Sequence, residues 1–162
     1  MKDLIVFYSL EGNTAYAAER IKSRTGADTL RLVPKKAYRD KGFAKFFWGG
    51  KSAVMAETPA LEDYQLNLAE YDRIIFGFPV WASNYTPPLR TFIRDNAEAL
   101  KGKRFAAFAC QSGAGAEKAL AKLAKSLEID AFEATAVFID PKAKPAPDKE
   151  ARIDAFCSAL LS

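Results

Sequence analysis

The chain has 162 residues, 49% hydrophobic and 27% charged, which suits one folded domain over residues 1–162 and argues against disorder. No run approaches the roughly 20 apolar residues that span a bilayer, and Ser9–Gly12 ends the apolar start Leu4–Tyr8 too early for a leader peptide. A cytoplasmic protein without a transmembrane segment is therefore expected. With no histidine, and with Cys110 and Cys157 in no metal-ligand or CxxC spacing, imidazole triads, the usual zinc sites and dithiol chemistry are excluded; two buried thiols and no metal are expected.

Short apolar runs alternate with helix-period segments, the pattern of a parallel sheet covered on both faces. Leu4–Tyr8 reads as a central strand, and Asn13–Arg24 as a helix with Ala15, Ala18 and Ile21 on one side. Thr29–Val33 alternates, as a half-exposed edge strand does, and Pro34 ends it. Arg73–Phe78 is a second buried strand. Thr86 offers an N-cap, Pro87 fits a first helical position, and Leu89, Phe92 and Ile93 form the buried stripe. Phe105–Cys110 is a third core strand, and Gly115–Leu127 a helix with Leu120, Leu123 and Leu127 inward. Ala131–Ile139 is the last strand. After a proline-stiffened link, Asp148 caps a helix burying Ile153, Phe156, Cys157 and Leu160. Right-handed crossovers then give a three-layer α/β/α, doubly wound, five-stranded parallel sheet. The alternating second strand belongs at an edge, which favours the order 2-1-3-4-5.

In such a sheet ligands bind beyond the carboxyl ends of the strands, where the order reverses. Three loops lie there. Ser9-Leu10-Glu11-Gly12-Asn13-Thr14 opens a helix and is rich in hydroxyl and amide groups, and the first helical N–H groups lack internal partners, so it suits a phosphate. It contains no lysine or arginine, and it lacks the Gly-Lys-Thr end of a Walker loop. The second loop runs Gly77-Phe78-Pro79-Val80-Trp81-Ala82-Ser83-Asn84 into Tyr85-Thr86-Pro87-Pro88, and the third is Gln111-Ser112-Gly113-Ala114-Gly115.

Strand–Ser-x-x-Gly-Asn-Thr–helix resembles the phosphate loop of flavodoxins, whose usual form is Thr/Ser-x-Thr-Gly-x-Thr. Ser9, Gly12, Asn13 and Thr14 match. Glu11 departs, and its carboxylate is expected to point to solvent while its backbone N–H serves the anion. Gly77-Phe78-Pro79-Val80-Trp81 resembles the Gly-x-Pro-x-Trp segment of the same family. The resemblance covers the whole chain in order, and it implies an FMN cofactor. Pro79, Val80, Trp81, Ala82, Ser83 and Asn84 would lie along one ring edge, with Trp81 stacking on its face. Gln111, Ser112, Gly113 and Gly115 would line the other edge. Many flavodoxins carry a tyrosine in this third loop; here there is none, which leaves the outer ring face either open to a substrate or covered by something else.

Charge is concentrated in one place. Between Lys35 and Pro59 six basic residues face two acidic ones, so this segment accounts for the whole net charge of +4. It also holds Tyr38, Phe43, Phe46, Phe47 and Trp48. One reading is a second crossover helix near Phe43–Trp48 with a solvated basic face. The other makes Lys35–Lys51 a cover for the flavin or a dock for an acidic partner, a nicotinamide cofactor phosphate or an anionic membrane surface. Nucleic acid is not expected, because no basic helix or nucleic-acid motif accompanies the patch.

The resemblance implies an electron carrier exchanging with a redox partner protein; the alternative is a small FMN-dependent NAD(P)H or quinone oxidoreductase. No catalytic side chain is assigned in either, since the cofactor does the chemistry. A response-regulator receiver needs carboxylates at the ends of the first and third strands, where Tyr8-Ser9 and Gly77-Phe78-Pro79 stand. A low-molecular-weight phosphatase needs an arginine six residues after its cysteine, and Ala116 occupies that position after Cys110.

Overall fold

The computed structural model describes residues 1–38, 57–142 and 146–162. Its elements are β1 (Asp3–Phe7), α1 (Asn13–Thr25), β2 (Asp28–Arg31), a 3-10 turn (Leu68–Glu70), β3 (Arg73–Pro79), α2 (Pro87–Asp95), α3 (Ala97–Leu100), β4 (Arg104–Gln111), α4 (Ala116–Ser126), β5 (Thr135–Ile139) and α5 (Pro147–Leu161). The strands form one five-stranded sheet in the order β2-β1-β3-β4-β5, and every pair is parallel.

Alternate residues of the central strands feed two cores, as the period of two requires. Ile5, Phe7, Ile75, Phe108 and Phe138 pack against Ala17, Ala18 and Ile21 of α1 and Ile153, Phe156 and Leu160 of α5. Leu4, Val6, Ile74, Phe76 and Phe78 face Leu89 and Phe92 of α2 and Ala119 and Leu123 of α4. Cys110 and Cys157 are buried free thiols. At the amino end of the sheet, Arg73 is buried and grips Asp3 at 2.6 Å, Glu133 at 3.2 Å and the Leu160 carbonyl at 2.9 Å. One guanidinium thus ties β1, the approach to β5 and the end of α5.

Several expected boundaries shift. β2 begins at Asp28 and ends at Arg31, where pairing with Phe7 stops. β5 starts at Thr135 rather than Ala131, where its Cα register with β4 begins at Ala107; before it the Glu133 N–H already meets the Phe105 carbonyl at 2.9 Å while its carboxylate lies on Arg73 and Arg104. Asp148 lies inside the last helix; the cap is the extended Ala146, and Pro147 takes the first helical turn, where its missing N–H costs nothing. Thr86 holds the cap position of α2, but its hydroxyl makes no cap bond and is buried without a partner.

The insertion leaves and re-enters the fold at one point. Pro34 and Leu61 form an antiparallel bridge, with the Lys35 N–H on the Ala60 carbonyl at 2.9 Å and the Glu62 N–H on the Val33 carbonyl at 2.7 Å. The expected helix at Phe43–Trp48, and Lys41, Lys45 and Lys51, lie outside the described residues. Among the described residues no helix is long and apolar enough to cross a membrane.

Candidate functional site

β1 delivers the chain from the core into the first loop at the carboxyl edge of the sheet. Gly12 has φ 101°, a left-handed conformation that L side chains rarely adopt, and this turn sets the start of α1. Ser9 Oγ accepts the Ala15 N–H at 3.1 Å, which fixes the loop against the first turn. The amides before Ala15 have no intrahelical carbonyl, as at any helix start. Thr14 is 1% exposed, and its Oγ1 is a buried hydroxyl without a partner at hydrogen-bond geometry. Leaving such a group unmatched costs roughly 1–3 kcal/mol, so this hydroxyl is available to a ligand or a water in the cleft. Arg31 reaches from β2 to donate to the Ser9 carbonyl at 3.0 Å, and Glu11 is exposed. Asn13 Oδ1 accepts the backbone N–H of Lys142 at 3.0 Å.

The second loop is a tight hairpin. Trp81 and Asn84 exchange backbone bonds of 3.1 and 3.0 Å around Ala82 and Ser83, whose φ values of 50° and 59° are both left-handed. That is the type I′ pattern, formed here without glycine, and such strain gathers at binding sites. Asn84 Oδ1 is turned back onto the Tyr85 N–H at 2.9 Å. Trp81 is only 5% exposed. It sits edge-on to Tyr8 at 5.8 Å and to Tyr38 at 5.2 Å, an aromatic trio that roots the insertion beside the site. Burial pushes the Tyr8 phenol above its ordinary range, with Tyr38 adding to it, and lifts Tyr38 to about 12.

The third loop spends its side chains internally. Gln111 Oε1 accepts the Ala116 N–H at 3.1 Å, capping α4, and Ser112 Oγ donates to Asp140 Oδ1 at 2.8 Å. Asp140, with φ 41°, donates its N–H to the Gln111 carbonyl at 3.1 Å. Cys110 closes the floor, its thiol pushed up to about 12 by burial; the Thr14 hydroxyl lies beside it without reaching hydrogen-bond geometry.

These loops meet in one open cleft. Ser9, Leu10, Glu11, Asn13 and Thr14 line one side, Pro79, Val80 and Trp81 another, and Gln111 and Ser112 a third. Ser83, Gly113 and Gly115 open instead onto a neighbouring groove, Gly12 lies under Lys142, and Ala82 and Asn84 are outside the cleft lining. Cys110 and Asp140 are added to the lining, and Lys142 to the loop. Asp140 and Lys142 follow the last strand, whose pairing beside β4 brings its carboxyl end to the same edge. The adjacency of β4 and β5 was the signal that could have found them.

The family model of flavodoxin matches residues 2–139. The chain belongs to the flavodoxin family. A comparison with curated proteins finds no match. Among solved structures, a protein of Bacteroides eggerthii assigned as a flavoprotein is 24% identical, with 99% of this chain and 98% of that one aligned and a TM-score of 0.75. A Lactobacillus acidophilus flavoprotein in complex with FMN is 19% identical over 96% and 97% of the two chains, with a TM-score of 0.66. Two-electron reduced Megasphaera elsdenii flavodoxin is 20% identical over 96% and 98%, with a TM-score of 0.59. These likenesses establish the fold. In this flavodoxin the switch point between β1 and β3 is where the first two loops converge, as the strand order dictates. Among the described residues the groove lining beside its third loop, including Gly113, Gly115, Val137, Lys118 and Arg152, holds no aromatic ring.

Proposed function

We propose that this flavodoxin is a redox protein whose cofactor is FMN, held with its phosphate on Ser9–Thr14 and its ring by Pro79, Val80, Trp81, Gln111 and Ser112, and that it serves as an electron carrier. The observation that carries the placement is the buried, unpartnered Thr14 hydroxyl lining the cleft at the start of α1. A phosphate oxygen there would satisfy that hydroxyl and the helix-start amides together. When bound, the flavin supplies the electron transfer; the chain supplies binding, orientation and exclusion of water. Ser9, Gln111 and Ser112 are already fixed by internal hydrogen bonds, so the loops are set before a ligand arrives. That lowers the ordering cost of binding. The Cys110 thiol, held protonated by burial, takes no part.

The basic segment Lys35–Lys51 supports an acidic redox partner, since Lys35 and Lys36 at its root are exposed a few residues from Tyr38, which packs on Trp81. Charge reversal at Lys41 and Lys45 then slows partner exchange at low salt; unchanged kinetics argue against docking there. The alternative, an NAD(P)H or quinone oxidoreductase, draws support from the groove with Lys118 and Arg152 beside the third loop. Purified protein separates the two. A carrier shows bound-flavin absorption that NADH or NADPH alone does not bleach and that a partner reductase does. Rapid bleaching by the nucleotide alone overturns the carrier reading, and a colourless protein that takes up no FMN overturns the cofactor assignment.

A further inference from the structure

The first loop contains no lysine or arginine of its own, and it carries Glu11, while Asp140 lines the same cleft. Any anion seated there meets two carboxylates nearby. Tertiary structure supplies a cation that the local sequence lacks. The turn after β5 is strapped down at both ends, by the Asp140 N–H on the Gln111 carbonyl at 3.1 Å and the Lys142 N–H on Asn13 Oδ1 at 3.0 Å. From this anchor the Lys142 side chain lies back across Gly12. A Cβ on Gly12 would stand 2.9 Å from Lys142 Nζ and 3.3 Å from its Cδ, so the missing side chain leaves the space the lysine occupies. Among the described residues the Lys142 ammonium makes no ion pair. Arg31 holds the Ser9 carbonyl of the same loop at 3.0 Å.

We propose that Lys142 is a cationic latch on the phosphate loop, reading the charge of the cofactor phosphate and setting the preference for FMN over riboflavin. This rests on the reading that the phosphate sits on Ser9–Thr14. The unpartnered Thr14 hydroxyl marks the ligand position independently of the lysine. Gly12 then has two functions: its left-handed φ starts the helix, and its bare Cα admits the latch. Because Lys142 is exposed, its effect is screened by salt, and a charge-assisted contact of this kind is worth about tenfold in affinity at low ionic strength.

The test compares the full-length apoprotein with Lys142→Met, which keeps the stem and removes the charge, and Lys142→Arg. FMN and riboflavin are titrated separately by quenching of flavin fluorescence, at low and high salt. Lys142→Met is expected to weaken FMN about tenfold at low salt and to leave riboflavin unchanged. The deficit shrinks at high salt, and Lys142→Arg restores most of the lost affinity. Equal weakening of both flavins means that only the packing of the stem matters and overturns the latch; so does no change in either. If the wild-type protein binds riboflavin as tightly as FMN, the phosphate placement itself fails and takes the latch with it. A wild-type preference for FMN that survives Lys142→Met sinks the latch alone.

Discussion

Gly115 and Ser83 are packed back to back. A Cβ on Gly115 would lie 2.7 Å from Ser83 Oγ and 3.0 Å from Ser83 Cα, so the second and third loops interlock through a missing side chain. Gly115 also has φ 104°, where alanine is strained whatever the space. Gly115→Ala should therefore lower stability by about 1–3 kcal/mol and loosen flavin binding. Gly113→Ala is the control for stability, because a Cβ there meets nothing within 4 Å of the protein itself and should leave the urea midpoint unchanged. Urea midpoints and flavin titrations of the two variants check this; equal behaviour would mean that the interlock has no energetic weight.

Thr14→Val removes the buried, unmatched hydroxyl and keeps the side-chain shape. Relief of that group should leave the apoprotein unchanged or more stable by about 1 kcal/mol. FMN affinity should fall about tenfold in the same variant. Opposite signs for stability and binding distinguish a ligand contact from a structural one. A variant that loses stability and binds FMN normally contradicts the placement.

Arg73 joins Asp3, Glu133 and the Leu160 carbonyl with a side chain only 5% exposed. Arg73→Met strands the Asp3 carboxylate, whose side chain is 9% exposed, and a loss of about 3–5 kcal/mol is expected. Arg73 opens β3 at the amino end of the sheet, away from the cleft. Protein that remains folded should thus bind flavin with wild-type affinity. Denaturant unfolding measures the first effect and titration the second.

Alkaline pH acts through the phenols. Burial raises Tyr38 to about 12, and the hydrogen bond to Asp28 raises Tyr71 to about 12, against about 10 when unfolded. The folded state holds these protons more tightly, so their contribution is full below about pH 10 and is lost as pH rises toward 12. Stability should decline over that window, and less steeply in Tyr38→Phe and in Tyr71→Phe. Unfolding curves measured across the window with an identical slope in these variants would remove the assignment. Tyr71→Phe has a second consequence, since Tyr71 is the main group holding the Asp28 carboxyl low. That contribution is present above the ordinary carboxylate pKa and fades as pH falls through the lowered one, so the variant loses it.

What the chain declares by itself is whatever is written locally. Continuous apolar runs at Leu4–Tyr8 and Arg73–Phe78 can only be buried strands, and alternation at Thr29–Val33 can only serve an edge. From these came the sheet, its order and the three loops at one edge. Boundaries depending on a partner were less legible: β5 starts where β4 offers register, and Pro147 opens a helix that the residues before it do not announce. The site divides in the same way. Ser9, Gly12 and Thr14 are visible because a helix start has local chemistry. That Gln111 is spent on capping α4, that Trp81 stands edge-on between Tyr8 and Tyr38, that Asp140 lines the cleft and that Lys142 lies against Gly12 are matters of tertiary structure. Asn13 and Lys142 are 129 positions apart, and no local pattern encodes a contact made only when parallel strands bring their carboxyl ends to one edge.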